Sequence, residues 1–156
     1  MTDNERDSPG VVAPPPLIYL GPLVLGLLLK ARLPVPFLPR KMTRGLGWPL
    51  LGNGVLLMNW FLWTLRSAGT PVNLEKSVSS LVTEGPFQYT RNPSYLSMVM
   101  IYTRIVSLAN AFWAILFLPA TPVVIRRGVI EREECYLERR FGEEYLRYRV
   151  RVRRWI

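Results

Sequence analysis

The sequence predicts an all-α, integral membrane helical bundle with about four transmembrane segments and a C-terminal cytoplasmic amphipathic helix. Three observations carry that expectation. Hydrophobic residues make up 49% of the 156-residue chain and charged residues only 20%, for a mean hydropathy of +0.15, more apolar than an ordinary soluble domain. The apolar residues gather into four runs with almost no charge. Beyond Arg126 the chain turns polar, and its apolar and aromatic residues recur at helical spacing.

Residues 1–16, MTDNERDSPGVVAPPP, are polar and proline-rich. They lack the basic start of a signal peptide and read as a disordered lead-in, with the apolar run behind them retained. That first run, Leu17 to Leu29, has 13 residues without a charge. It falls short of the roughly 17–25 residues a span needs, and Pro22 is placed to kink it. A short span is expected, with a re-entrant or interfacial segment as the alternative. A proline-broken link follows, KARLPVPFLPRKMTR, with five basic residues: Lys30, Arg32, Arg40, Lys41 and Arg44. The second run, Gly45 to Leu65, has 21 residues without a charge and is the clearest transmembrane segment. Residues 17–65 therefore read as two N-terminal membrane segments.

Arg66 to Asn92 form a polar connector rich in turn residues. The third run, Pro93 to Ala109, and the fourth, Ala111 to Ile125, are separated by Asn110 alone, so an antiparallel hairpin over 93–125 is expected. Arg104 interrupts the third run, where a charge at mid-bilayer costs about 2.5–3.5 kcal/mol. Its place near the far end of the run predicts a side chain snorkelling to the interface rather than an arginine facing the bundle interior. After Arg126, residues Ile130, Tyr136, Leu137, Phe141, Tyr145 and Tyr148 mark one or two amphipathic helices interrupted at Gly142. Tyr145, Tyr148 and Trp155 suit an interfacial aromatic belt, with closure over a ligand as their other use.

The formal net charge is +9, from 20 Lys and Arg against 11 Asp and Glu. The arginines flank apolar runs instead of lining a polar face, so the bilayer's anionic headgroups are the expected counter-charge and nucleic acid is not an expected partner. Positive-inside reasoning puts the tail, with ten arginines from Arg126 on, in the cytoplasm. It would put the Lys30–Arg44 link there too, which four spans do not allow; the larger count decides for the tail. The chain has no histidine and one cysteine, Cys135. An intramolecular disulfide, a CxxC motif and Ser-His-Asp catalysis are thereby excluded, and no metal is expected.

Two polar clusters remain as candidates for chemistry, the stretch GPFQYTRNPSYLS from Gly85 to Ser97 and the acidic group Glu131, Glu133 and Glu134. The hairpin returns them to the same membrane face. Each has a plain reading: Asn92 caps a helix that begins at Pro93, and the glutamates balance Arg127, Arg132 or Arg139 along one helix.

LVTEGPFQYTRNPSYL, followed at a hairpin's distance by EREECYLERRFGEEYLRYRVRVRRWI, resembles the isoprenylcysteine carboxyl methyltransferase and phospholipid methyltransferase superfamily of integral membrane enzymes. The family pattern is Arg-His-Pro-x-Tyr, a transmembrane hairpin, a Glu-Glu pair, then Phe-Gly-x-x-Tyr and a basic-aromatic end, and it covers residues 70–156. The resemblance implies S-adenosylmethionine as cofactor and a methyltransferase-like core in residues 66–156, whose tail closes over that cofactor. It implies cofactor contacts from Ser79, Ser80, Leu81, Val82 and Phe87, from Arg91, Asn92, Pro93, Ser94 and Tyr95, and from Glu133 and Glu134. The acceptor it implies is an amphiphilic or apolar carboxylate, thiol or amine, reached from the membrane. Asn92 stands where the family has histidine, Ser97 where glycine is common, and Val129 where the carboxyl methyltransferases have a substrate arginine; Arg126, Arg127 or Arg132 are the candidates to replace that arginine. No residue is assigned as catalytic. The competing expectation is a non-enzymatic membrane scaffold or transporter subunit with a basic tail that binds lipid or a partner.

Overall fold

The structure is a computed structural model that describes residues 10–70, 78 and 80–156. Residues 1–9 of the expected lead-in, part of the connector (71–77) and the candidate Ser79 lie outside the described residues. Helix α1 spans Pro15–Arg32 and α2 spans Arg40–Ser67. A short 3₁₀ turn at Gly85–Gln88 precedes α3, Pro93–Ala109. Next come α4 (Phe112–Phe117) and α5 (Ala120–Ile125), a π turn at Arg126–Ile130, α6 (Glu131–Phe141) and α7 (Glu143–Arg151). All regular elements among the described residues are helical. Two helices, Pro15–Arg32 and the 30-residue rod Phe112–Phe141 formed by α4, α5, the π turn and α6, are long and apolar enough to cross a membrane.

α1 already begins at Pro15, inside the expected lead-in, and continues through Pro22. α3 occupies the third apolar run from end to end. It closes on Asn110, whose φ of 50° is left-handed, a conformation that asparagine tolerates better than other non-glycine residues. The chain then reverses, and the fourth run does not stop at Ile125: its helix runs on through the π turn into the acidic cluster. Gly142 ends it with φ 51° and ψ −124°, accessible to a residue without Cβ.

α1 and α3 run one way, α2 and the long rod the other. α2 packs along α3, with Gly54 of α2 beside Ser97 and Ile101. α1 packs on α4, where Gly26 meets Ala114 so closely that an added Cβ would enter the Ala114 backbone. The core at this junction contains Tyr19, Leu23, Tyr95, Tyr102, Val106, Ala114, Ile125, Val129 and Ile130. A second, smaller core of Tyr145, Tyr148 and Val152 lies under Leu81, Phe87, Leu137 and Phe141.

One expectation changes here. Arg104 does not snorkel: it is 1% exposed, its Nη1 donates to the Thr43 carbonyl at 3.4 Å, and its guanidinium lies 4.8 Å from the Trp48 ring centre. The ring face and α2 backbone hold it against the bundle, because on α3 it shares the face that packs on α2. The proline-broken link is tied to the hairpin. Phe37 and Leu38 amides both donate to Asn110 Oδ1 at 3.0 Å, Asn110 Nδ2 donates to the Leu38 carbonyl at 2.9 Å, and Trp113 Nε1 donates to the Leu33 carbonyl at 2.8 Å.

Candidate functional site

The reversal at Asn110 brings the start of α3 beside the first turn of α6. There the Tyr95 hydroxyl donates to Glu133 Oε1 at 2.8 Å, joining two side chains 38 positions apart. Among the described residues this hydroxyl is the only polar partner of Glu133. Val129, four residues earlier and so on the same helix face, is fully buried, which shows that the Glu133 face points inward.

Glu134 makes a different set of contacts. Its Oε1 accepts from Arg154 Nε at 3.0 Å and lies 3.3 Å from Arg91 Nη1, while Oε2 accepts from Arg154 Nη2 at 2.6 Å. Glu131 takes Arg126 Nε at 3.1 Å across the π turn, five residues away, instead of Arg127, Arg132 or Arg139. At Glu133 and Glu134, contacts from α3 and the C-terminus replace the expected helix pairs, because tertiary neighbours reach the inward face before residues of the same helix do.

The C-terminal segment lies across the start of α3 as a strap. The Arg91 amide donates to the Arg153 carbonyl at 3.0 Å, and the Arg154 carbonyl accepts from Thr90 Oγ1 at 3.0 Å and from Asn92 Nδ2 at 2.9 Å. Asn92 occupies the N-cap position with Pro93 as the first helical residue, yet its side chain makes no capping bond. The strap uses that side chain instead.

Under the strap is a cavity of about 160 Å³. Its walls include Ser80, Leu81, Val82, Phe87, Arg91, Asn92, Pro93, Ser94, Tyr95, Glu133 and Glu134, so each sequence-derived candidate for cofactor contact that the structure describes lines one space. Ser79 is outside the described residues. Arg126, Arg127 and Arg132 are not brought to it: they are exposed, with Arg126 on Glu131 and Arg132 Nη1 donating to the Gly10 carbonyl at 2.7 Å. They leave the rod on other faces than Glu133.

Sequence reasoning missed Phe61 and Leu65 of α2, Thr70 and Val78 of the connector, and Tyr136 and Leu137 of α6, all of which line the cavity. For the last two a signal existed, since they follow Glu133 by three and four positions and so share its face. Tyr145 and Tyr148 also line it and are 1% and 4% exposed, so they close the cavity and do not form an interfacial belt. The Tyr148 hydroxyl donates to the Phe87 carbonyl at 2.8 Å. Burial and the Glu134 charge push the Tyr145 hydroxyl up to about 12, with Arg91 pulling the other way. Burial raises Tyr148 as well.

The walls are mostly apolar and aromatic, with polar groups at one end. Arg91 Nε is buried there without a partner among the described residues, a donor waiting for an acceptor. Among the described residues no group of three or more His, Cys, Asp or Glu is placed to hold a metal ion.

Residues 42–144 match the family model described as phospholipid methyltransferase. The chain belongs to the phospholipid methyltransferase family. The match takes in most of α2, which supplies Phe61 and Leu65 to the cavity, as well as the hairpin and the acidic cluster. An uncharacterized protein of Haemophilus influenzae is 56% identical over 34 residues, 22% of this chain and 54% of that relative. The chain thus spans about half the length of the curated relative it matches. No solved structure matches it.

Proposed function

We propose that this phospholipid methyltransferase family member binds S-adenosylmethionine in the cavity under the strap and transfers its methyl group to an amphiphilic or apolar acceptor. The observation that carries the reading is the Tyr95–Glu133 hydrogen bond at 2.8 Å, which sets both halves of the sequence motif around one cavity.

The lining suits such a cofactor on chemical grounds. The unpartnered Arg91 Nε is a donor for a carboxylate. Glu133, held by one hydroxyl, retains acceptor capacity for an ammonium or ribose hydroxyl. Phe61, Phe87, Tyr136 and Tyr148 offer flat surfaces to an adenine ring. When bound, the sulfonium supplies an electrophilic methyl group. The protein's part is to align the acceptor with it and to limit water, and the apolar and tyrosine walls suit that role. A cavity of about 160 Å³ is below the roughly 300–1,000 Å³ usual for ligand sites, so its walls must move apart to admit the cofactor.

On this reading α1, α2, α3 and the apolar part of the long rod form four crossings, residues 66–156 are the methyltransferase core, and the cavity and C-terminus face the cytoplasm. The acceptor approaches from lipid. The test is isothermal titration of the detergent-purified full chain with S-adenosylhomocysteine, followed by transfer of labelled methyl from S-adenosylmethionine into separated lipid, thiol and small-molecule fractions. Binding by wild type and its loss in Glu133→Ala are expected; absence of binding by both overturns the proposal.

A further inference from the structure

The rod that delivers Glu133 and Glu134 to the cavity is not α-helical throughout. Just before them, over Arg126–Ile130, it makes the π turn, in which the Glu131 amide donates to the Arg126 carbonyl five residues back. Such a turn takes one more residue than an α turn to close its hydrogen-bonded ring. Each residue of an α-helix advances about 100° around the axis, so the eight from Ile125 to Glu133 would end about 80° off the starting direction. With one residue absorbed the offset falls to about 20°, and Glu133 shares the inward face of the fully buried Ile125 and meets the Tyr95 hydroxyl. An α turn in the same place would put Arg132 where Glu133 now stands, and Glu133 where Glu134 stands.

π turns are rare because the backbone favours the tighter α turn, and what holds this one comes from ahead of α1. The Val12 amide donates to the Gly128 carbonyl at 3.2 Å, in the middle of the turn. Arg132 Nη1 donates to the Gly10 carbonyl at 2.7 Å. Val11 packs against the core that contains Val129 and Ile130. Val12 lies over Gly128, within 3.6 Å of where a Cβ would stand. Residues 10–12 therefore grip the turn at its centre and again at Arg132, the neighbour of Glu133.

We propose that residues 10–12 are a positioning strut for the site. By holding the π turn they aim Glu133 at Tyr95, and Glu134 at Arg91 and Arg154. None of the three lines the cavity, so they act on it through α6. The part this plays in cofactor binding rests on the function proposed above; the register of the two glutamates does not.

The experiment is hydrogen exchange at the Arg91 amide of the full chain in detergent, with no cofactor added. That amide bonds the Arg153 carbonyl of the strap, and Glu134 anchors the strap through Arg154, so turning Glu134 away frees it. Val12→Pro removes the donor to Gly128 and is expected to speed exchange at Arg91 about tenfold, with the Ile101 amide in mid-α3 unchanged. Deleting Gly128 in the same variant lets an α turn close with both glutamates in their present directions. It is expected to return Arg91 to within about twofold of wild type, a rescue that a general loss of packing would not show. Should Val12→Pro not fold, Arg132→Gln, which loses the Gly10 contact, takes its place with a rate about fivefold faster and the same rescue. A rate at Arg91 within about twofold of wild type in the folded variant, equal acceleration at Ile101, or failure of the deletion to rescue each overturns the strut. A wild type that does not bind S-adenosylhomocysteine overturns the proposed function and leaves the strut standing.

Discussion

Glu134→Gln should loosen the strap while leaving the bundle folded, and the size of the effect follows from the contacts it removes. The carboxylate takes Arg154 through Nε at 3.0 Å and Nη2 at 2.6 Å, and Arg91 through Nη1 at 3.3 Å. The Glu134, Arg154 and Arg91 side chains are 13%, 24% and 12% exposed. Breaking a buried pair on one side costs about 3–5 kcal/mol. Partial exposure and the oxygen that glutamine retains reduce this, and three hydrogen bonds from Thr90, Arg91 and Asn92 to the strap survive. The strap then opens with a free energy lowered by about 2–3 kcal/mol, or roughly 30- to 150-fold in population at 1.4 kcal/mol per decade. The Arg91 amide reports it, because it donates to the Arg153 carbonyl and exchanges with solvent only when the strap lifts. Hydrogen exchange at Arg91 faster by that factor is expected. A rate within about threefold of wild type refutes the assignment of Glu134 as the strap's anchor.

Three further outcomes are expected. Tyr95→Phe leaves Glu133 without its polar partner at a cost of about 1–3 kcal/mol, and titration should show S-adenosylhomocysteine affinity about tenfold weaker; unchanged affinity separates the pair from the site. Gly26→Val drives a side chain into the Ala114 backbone, and thermal unfolding should show a loss of about 2 kcal/mol, within the range for overpacking. Raising the pH from 9 to 12 should destabilise the protein through Tyr145. Its hydroxyl is held up to about 12 from an ordinary 10.0, so the folded state keeps its proton longer. That stability is complete below pH 10 and lost as pH rises toward 12; Tyr145→Phe removes this part of the alkaline sensitivity.

Much of the site was legible in one dimension. The ends of α3, its reversal at Asn110 and the return of Glu133 to Tyr95 follow from two apolar runs with one residue between them. Less legible was which side chain answers which. Asn92 has the composition of a cap and is used by the strap, Glu134 stands among helix-mate arginines and takes Arg91 and Arg154, and Arg104 looks like a snorkelling arginine and is buried under Trp48. In each case several partners are equally near in sequence, and only packing ranks them.

By itself the sequence determined what the solvent demands of the chain: where runs are apolar enough to form long helices, where proline and asparagine interrupt them, and which polar clusters the reversal must bring together. Hydropathy and backbone preference are local properties, and a sequence carries them directly. Only the tertiary structure decided that Tyr145 and Tyr148 close a cavity and that the last residues latch it, because those outcomes depend on which surfaces exclude one another in three dimensions.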